Sequence, residues 1–372
     1  AFLVRPLGAI FFGHLGDRMG RRISLLACIS LMGVASTIIG LLPTYAQIGA
    51  WAPALLVLMR LLQGFSAGGE VGGAATYIRE WAPEHLRPFY ISFIPSVAQI
   101  GKALAAAMAG VAAALTTPEA MADWGWRIPF LLTFPLAILA LALRTRVGES
   151  PEHAAASAAA PAVAGAPSPF RSLMVDHRAQ LAKVVIISAI QSIGTYLGTV
   201  YVATYLSVVL GFSKASSSMI VLVAVLVAAV AMPIFGYLSS RLGGRWLLLW
   251  SYVMYALVSI PSFMLMAQNS FALAIAGLCL GMLPYALCQV GTYSVIPEFF
   301  PAEVRHSGVA FGHSVGAVIG GASMPFLATV LINWSGNTMV PAYILSGAGL
   351  IGFVIVTLFV RHQSAGHSHL YQ

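Results

Sequence analysis

Charged side chains are scarce in this sequence: they make up 8% of its 372 residues, against roughly 25% in a typical soluble domain. Hydrophobic residues, by contrast, account for 59% of the chain. So few charges could not cover the surface of a soluble protein of this length. The composition therefore excludes an ordinary soluble fold.

Cysteines and cofactor motifs are also few. Cys28, Cys279 and Cys288 lie within apolar stretches, and their spacing indicates neither a disulfide framework nor a metal site. The sequence contains no P-loop, zinc-binding, haem-attachment or nucleophile motif. We therefore expect no cofactor, no metal and no catalytic residue, and neither an enzyme nor a pump driven by ATP.

Long apolar segments recur along the whole chain, and most are close to the length of about 20 residues that spans a bilayer as a helix. This pattern predicts an all-α membrane protein with eleven spans, of which the first is short. The predicted spans are 1–14, 23–43, 54–79, 89–114, 127–145, 181–210, 216–240, 246–267, 271–297, 308–333 and 339–360.

The net charge of +8 is interpreted as a topology signal rather than as a sign of nucleic-acid binding. When the predicted spans alternate across the bilayer, one side collects almost all of the loop arginines and lysines, and the other carries only Arg127 and Lys214. Positive loops face the cytoplasm. We therefore expect a cytoplasmic segment 146–178, a cytoplasmic C-terminus, and the lipid bilayer instead of nucleic acid as a partner.

One loop is unusually rich in both charge and glycine: Gly13-His-Leu-Gly-Asp17-Arg18-Met-Gly20-Arg21-Arg22. Glycine permits a tight turn between two helices, and an aspartate can accept hydrogen bonds or pair with an arginine. The pattern predicts a cytoplasmic gate, with Asp17 and Arg18 pairing across a seam between helices. The predicted gate residues are Asp17, Arg18, Arg21, Arg87, Arg241 and Arg305.

The two halves of the chain repeat each other weakly. Residues 13–20 match 236–243, and residues 80–87 match 298–305, each pair being about 220 residues apart. A span precedes this pattern in the second half but not in the first, so we expect the first helix and part of the second to be absent from this sequence.

The repeat predicts two six-helix bundles. We expect a truncated N-terminal bundle over 1–145, a cytoplasmic linker over 146–180 and a C-terminal bundle over 181–372. The linker is rich in alanine and proline without apolar periodicity, which is typical of a connecting segment.

Ionisable side chains inside the predicted spans are few, and such groups are costly in a bilayer and therefore candidates for function. Glu70 is the only acid deep in a predicted span, and a carboxyl in an apolar setting can bind and release a proton. We predict that Glu70 and Arg60 serve proton coupling. The alternatives are a structural hydrogen bond or ion pair for Glu70 and, for Arg60, a pair with a residue of the absent first helix.

Further candidates are polar side chains that recur at helical spacing in two spans, together with two cations. Polar stripes on apolar helices face a cavity or another helix, and we expect these to line a substrate cavity. The cations could hold an anionic group, although Lys102 can also extend to the membrane surface. The predicted substrate-binding residues are Arg5, Lys102, Gln191, Thr195, Tyr196, Tyr285, Gln289 and Tyr293.

Other residues of the spans are predicted to be structural. Gly64, Gly68 and Gly72 repeat every four residues, as do Gly308, Gly312, Gly316 and Gly320. This spacing is typical of helices in close contact. His313 is expected to be a packing or hydrogen-bonded residue more often than a proton relay.

Several runs together resemble one family of membrane transporters. The runs are Arg5-Pro-Leu-Gly8, the loop 13–22, Arg60-Leu-Leu-Gln-Gly-Phe-Ser-Ala-Gly-Gly-Glu70-Val-Gly-Gly73, Arg127-Ile-Pro-Phe-Leu131, Glu149-Ser-Pro-Glu152 and Arg305-His-Ser-Gly-Val-Ala310. They resemble the metabolite:proton symporter branch of the major facilitator superfamily, over nearly the whole chain. That branch includes permeases for proline and betaine, 2-oxoglutarate, citrate and shikimate.

The resemblance implies proton-driven uptake by alternating access in the bacterial inner membrane. We expect a monomeric symporter for a small polar metabolite, such as an organic acid or a zwitterionic osmolyte. The alternative is a transport-inactive sensor or receptor that keeps the same fold. One departure is Ser240, which stands where the second loop of the family usually has an acid and which weakens the second gate.

Overall fold

The structure, a computed structural model, describes residues 2–146, 148 and 169–360, and these are almost entirely helical. The α-helices are α1 (Arg5–Met19), α2 (Arg21–Leu41), α3 (Tyr45–Ile48), α4 (Trp51–Trp81), α5 (Arg87–Leu115), α6 (Pro118–Asp123), α7 (Ile128–Leu131), α8 (Thr133–Thr145), α9 (Pro169–Val175), α10 (Arg178–Thr195), α11 (Val202–Thr204), α12 (Lys214–Leu242), α13 (Gly244–Met266), α14 (Phe271–Val295), α15 (Arg305–Ala317), α16 (Met324–Ser335) and α17 (Val340–Phe359). Segments of π-helix occupy Tyr196–Tyr201, Tyr205–Val209 and Val318–Ala322. The predicted all-α fold is confirmed.

Ten helical segments of the described chain are long and apolar enough to cross a membrane. They are Arg21–Leu41, Trp51–Trp81, Glu84–Leu115, Gly125–Thr145, Arg178–Val209, Lys214–Leu242, Gly244–Met266, Phe271–Phe299, Arg305–Ser335 and Val340–Phe359. The remaining predicted span, 1–14, corresponds to α1, whose 15 residues rise only about 22 Å. A multi-pass membrane architecture is confirmed, with ten full-length spans in place of eleven.

Two glycines allow the chain to reverse between spans. Gly20 separates α1 from α2 with a φ of 106°, and Gly243 separates α12 from α13 with a φ of 90°. Side chains disfavour such positive φ values, whereas glycine adopts them freely. The tight turn that the glycine-rich loop predicts is therefore present in both repeats.

One compact unit, which we call unit 1, brings together helices from distant parts of the chain. Unit 1 consists of Ala1–Trp81, Gly101–Val185 and Pro297–Val318. A Cβ at Gly8 of α1 would lie 1.8 Å from the Phe65 carbonyl oxygen, and a Cβ at Gly72 would lie 2.6 Å from the Ala310 Cβ. Only glycine permits these approaches, and the predicted packing role of the stripe on α4 is confirmed at this position.

The other compact unit, which we call unit 2, is built around α13. Unit 2 consists of Ala82–Ile100, Ile186–Ile296 and Ile319–Gln372. Helix α13 packs against α14 and α17. Tyr252 is fully buried, because Gly352 of α17 leaves room for its ring: a Cβ there would lie 2.9 Å from the ring carbons.

The sequence repeat reappears as a packing arrangement that occurs once in each unit. In unit 1, α1 packs against α15. In unit 2, a Cβ at Gly236 of α12 would lie 2.3 Å from the Ser92 Oγ of α5. In both cases, the helix before the glycine turn meets a helix from the opposite half of the sequence.

The division into bundles 1–145 and 181–372 stays a prediction. Most of the predicted linker between them, with the family-like run 149–152, lies outside the described residues.

Candidate functional site

Four charged side chains are buried together in unit 1, and we call them the charge cluster: Asp17, Arg21, Glu80 and Arg305. Arg21 donates from Nη1 to the Asp17 Oδ1 at 2.7 Å, and its Nη2 lies 3.5 Å from the Glu80 Oε1. Arg305 donates to the same Glu80 oxygen at 3.3 Å. Arg21 also donates to the carbonyl oxygen of Ala302 at 2.7 Å. The cluster holds two cations and two anions, so its charges balance.

Asp17 also caps the N-terminus of α15. Its Oδ2 accepts hydrogen bonds from the Ser307 backbone N–H at 3.0 Å and from the Ser307 hydroxyl at 2.6 Å. A carboxylate here satisfies a free helix N–H and interacts favourably with the helix dipole. Burial raises the pKa of Asp17 to about 6, although Arg21 and the Ser307 hydrogen bonds act in the opposite direction. The group is therefore mainly ionised at neutral pH, and it ties α1 to α15.

Glycines in the same loop bring α1 and α15 into direct contact beside the charge cluster. A Cβ at Gly16 would lie 2.0 Å from the His306 Nδ1, and a Cβ at Gly13 would lie 2.8 Å from the Ser307 Cα. His306 is fully buried. The glycines of this motif thus serve helix contact as well as the turn at Gly20, a role that was not predicted from the sequence.

Three of the six predicted gate residues, Arg18, Arg87 and Arg241, lie outside the charge cluster. Arg18 is exposed, and its predicted pairing with Asp17 does not occur, because side chains adjacent in a helix do not face each other. Arg87 pairs with the exposed Glu84 at 3.3 Å. Arg241 donates to the hydroxyl of the neighbouring Tyr237 at 2.5 Å.

Glu80 belongs to the charge cluster but was not predicted from the sequence. The sequence feature that could have identified Glu80 is the internal repeat, in which Glu80 and Glu298 occupy equivalent positions. The second loop is less charged, as expected from Ser240, which is equivalent to Asp17. Ser240 donates to the carbonyl oxygen of Gly236 within its own helix at 3.1 Å.

Glu70, the predicted proton-coupling residue, lies within the span formed by α4. Its side chain is exposed, and the guanidinium groups of Arg5 and Arg144 interact electrostatically with its carboxyl. The Cys28 thiol interacts with the same carboxyl. Two guanidinium groups thus act on a carboxyl that lies within an apolar span, and Arg144 of α8 was not among the residues predicted near it. The role of Glu70 in proton coupling stays a prediction.

The two other predicted cations of the early spans lie in different surroundings. Arg60 donates to the Gln63 Oε1 at 3.0 Å, and its guanidinium lies 5.7 Å from the centre of the Phe130 ring. It is ten residues from Glu70, or about 15 Å along the helix, and the two do not pair. Lys102 is exposed on α5, beside a glycine that faces open space.

Five polar side chains form a hydrogen-bonded group in unit 2, which we call the glutamine–tyrosine cluster: Gln99, Gln191, Thr195, Tyr285 and Gln289. Gln289 donates to the Thr195 Oγ1 at 3.0 Å and to the Tyr285 hydroxyl at 2.8 Å, and it accepts from Gln191. Gln99 donates to the same tyrosine hydroxyl at 2.5 Å. Four predicted substrate-binding residues are therefore brought together, whereas Gln99 of α5 was not predicted.

The backbone next to this cluster departs from regular α-helix. A π-helical segment begins at Tyr196, directly after Thr195, and such segments are frequent at functional sites. The Tyr196 ring packs against Gly321, where a Cβ would lie 2.3 Å from the ring. Tyr293 is partly buried near the end of α14. Neither tyrosine was predicted to have these surroundings.

Gly194→Ala is expected to disturb the packing next to Thr195 of the glutamine–tyrosine cluster. A Cβ at Gly194 would lie 2.1 Å from the Tyr255 hydroxyl, and Tyr255 is buried. Overpacking of this kind lowers the free energy of unfolding by about 1–3 kcal/mol, which thermal unfolding in detergent measures. The matched control is Gly198→Ala, whose Cβ would lie at an ordinary 3.4 Å from Met282. An equal loss of stability in Gly194→Ala and Gly198→Ala would contradict this packing.

Comparison with known proteins identifies the family to which this chain is similar. The family model described as "Major Facilitator Superfamily" matches residues 1–318 and 184–370. The ectoine/proline transporter ProP of Corynebacterium glutamicum is 32% identical over 98% of this chain and 74% of its own length. The proline/betaine transporter of Salmonella typhimurium is 34% identical (95% and 72%), and the shikimate transporter of Escherichia coli is 33% identical (98% and 83%).

Solved structures of other transporters have the same fold as this chain. The proton:xylose symporter XylE, bound to 6-bromo-6-deoxy-D-glucose, aligns with a TM-score of 0.78 at 16% identity, over 96% of this chain and 85% of that one. The human organic anion transporter MFSD10 aligns with a TM-score of 0.71 at 17% identity, over 95% and 81%. The predicted resemblance is confirmed: this multi-pass membrane chain is not an enzyme but belongs to the Major Facilitator Superfamily of transporters.

Proposed function

We propose that this protein is a proton-coupled symporter that imports a small polar metabolite carrying a carboxylate. The observation that supports it most is the carboxyl of Glu70, which lies within a membrane span and interacts electrostatically with Arg5 and Arg144. Ionisable groups at such depth are costly and are seldom kept without a function. Glu70 binds the coupled proton, and the two guanidinium groups influence when it is released.

The substrate class follows from chemistry that the relatives' substrates share. Proline, betaine, ectoine and shikimate each carry one carboxylate next to a compact ring or methylated amine, and the names of the relatives mention these molecules. The glutamine–tyrosine cluster supplies amide and hydroxyl groups for the polar remainder of such a molecule. Arg60, Lys102, Tyr196 and Tyr293 remain predicted contributors to coupling or binding.

The charge cluster is proposed to act as the gate on the cytoplasmic side. It joins the glycine-rich loop to the N-terminus of α15 through Asp17, and all four of its side chains are buried. Opening this contact exposes balanced charges to water and closing it pairs them again. A balanced cluster therefore allows movement without leaving one unpaired buried charge.

Uptake into proteoliposomes tests the proposed function. With an alkaline interior, we expect the protein to accumulate labelled proline, betaine or shikimate and to lose this accumulation when a protonophore removes the gradient. Binding of these molecules without any uptake would favour the sensor alternative. Uptake that persists unchanged without the gradient would contradict proton coupling.

The orientation can be tested without a substrate. The positive-inside distribution predicts that the linker is cytoplasmic, so a cysteine placed at Ser157 should resist an impermeant thiol reagent in intact cells and react after permeabilisation. Gln268→Cys, in the loop after α13, is the matched control and should react in intact cells. Labelling of Ser157→Cys in intact cells would reverse the assigned topology.

A further inference from the structure

Four aromatic rings and one arginine form a patch on the surface of unit 2, which we call the aromatic–arginine patch: Phe89, Tyr90, Phe93, Tyr237 and Arg241. The centre of the Phe89 ring of α5 lies 5.6 Å from that of Tyr90 and 5.3 Å from that of Phe93. It also lies 6.4 Å from the centre of the Tyr237 ring of α12. The Arg241 guanidinium lies 4.8 Å from the centre of the Tyr237 ring and donates to its hydroxyl at 2.5 Å. The five side chains are therefore joined by direct contacts.

The patch lies where the helix pair α5 and α12 reaches the end of its membrane spans. The Ser96 hydroxyl of α5 donates to the Ala229 carbonyl oxygen of α12 at 2.7 Å, so the two helices are also joined farther from the patch. Arg241 is the last but one residue of the span Lys214–Leu242. We therefore place its guanidinium at the membrane surface, and the ring of Phe93 closer to the apolar interior of the bilayer.

Exposed apolar side chains continue from the patch along both helices. Val97 and Ile100 follow the patch on α5, and Ile234 and Val230 precede it on α12, and all four are exposed. They are three or four residues apart, a spacing that places them on the same helix faces as the rings of the patch. A guanidinium at the end of a continuous apolar surface matches a phospholipid, whose phosphate lies above its acyl chains.

The positive charge of Arg241 is not balanced by an acid of its own repeat. Ser240 occupies the position that Asp17 has in the first repeat, and its hydroxyl donates within its own helix. Glu84 is the only acid in the sequence of unit 2, and it pairs with Arg87 at 3.3 Å. A guanidinium forms strong, charge-assisted hydrogen bonds with phosphate, and anionic lipids attract basic side chains near the membrane surface. An anionic lipid headgroup therefore complements Arg241.

We propose that the aromatic–arginine patch binds a bilayer phospholipid whose headgroup carries a net negative charge. The lipid phosphate pairs with Arg241, and one acyl chain lies along Phe93 and Ile234. Tyr237 holds the guanidinium in place through its ring and its hydroxyl. The lipid thus supplies, beside the second glycine turn, a negative charge like the one that Asp17 supplies beside the first. Binding of this lipid depends neither on the proposed substrate nor on proton coupling.

Lipid binding to the purified full chain tests the patch. Phosphatidylglycerol and phosphatidylcholine with identical acyl chains are titrated into the protein in detergent, and native mass spectrometry counts the bound molecules. We expect the wild-type protein to bind phosphatidylglycerol about fivefold more tightly, the factor expected for one basic side chain near an anionic surface. Arg241→Gln should remove this preference. Arg241→Lys should retain part of it, because lysine keeps the charge but loses the planar fork.

Arg18→Gln is the matched control, because Arg18 is the equivalent exposed arginine of the first repeat and directly follows an acid. It should keep the full preference for phosphatidylglycerol. Tyr237→Phe keeps the ring but removes the hydroxyl contact to Arg241, so it should reduce the preference in part, and it provides the test if Arg241→Gln does not fold.

Three results would overturn the lipid site. The first is an equal affinity of the wild-type protein for the two lipids. The second is an unchanged preference in Arg241→Gln and Tyr237→Phe, or an equal loss of preference in Arg18→Gln. The third is displacement of phosphatidylglycerol by free glycerol phosphate at equal concentration, since the apolar surface below Arg241 would then contribute nothing to binding.

Discussion

Replacing Arg21 by glutamine is expected to reduce the free energy of unfolding by about 3–5 kcal/mol, the range for a buried ion pair that loses one partner. Arg21 is 1% exposed and contacts both Asp17 and Glu80. Without the Arg21 charge, the cluster holds two buried carboxylates and one guanidinium, that of Arg305, which pairs with Glu80. Thermal unfolding of the purified protein in detergent measures the loss.

Two further variants separate this cluster effect from a general effect of removing an arginine. Arg18→Gln is the matched control in the same loop, and it should change stability little because Arg18 is exposed. Adding Glu80→Gln to Arg21→Gln should recover part of the lost stability, since one cation and one anion then remain. Equal loss for Arg18→Gln and Arg21→Gln would contradict the description of a buried, balanced cluster.

Glu70→Gln is expected to abolish proton-driven accumulation while preserving exchange of internal for external substrate. The amide resembles the protonated carboxyl but cannot release a proton. For one proton per substrate, a gradient of 1 pH unit supports about tenfold accumulation in the wild type. The internal and external concentrations should become equal in the variant.

The matched control for this variant is Glu119→Gln, which removes an exposed acid from α6. It should accumulate substrate like the wild type. Exchange that continues in Glu70→Gln shows that the variant is folded and still binds substrate. Undiminished, gradient-dependent accumulation in Glu70→Gln would assign proton coupling to another group.

Predictions from the sequence succeeded where a feature depends on one helix or one turn alone. The apolar spans predict the helices, and the turn at Gly20 follows from glycine's freedom at positive φ. Polar spacing along a single helix also placed Gln191 and Thr195 on one face, and the structure joins both of them to Gln289.

Contacts between distant segments were beyond prediction from one sequence. Glu80 lies 225 residues from Arg305, and Gln99 lies 186 residues from Tyr285. No periodicity within a helix encodes which distant helix packs beside it. The expected pairing of Asp17 with Arg18 failed for a local reason: the loop composition indicated a charged contact, but helix geometry selected Arg21 as the partner.

The most direct test of proton coupling is the internal pH of proteoliposomes during uptake without an imposed gradient. A pH-sensitive dye enclosed in the vesicles reports proton entry when proline, betaine or shikimate is added outside. We predict that uptake acidifies the interior of wild-type vesicles, with about one proton for each carboxylate, and that Glu70→Gln abolishes this acidification. Substrate uptake by the wild-type protein without any change in internal pH would contradict a proton-coupled symporter.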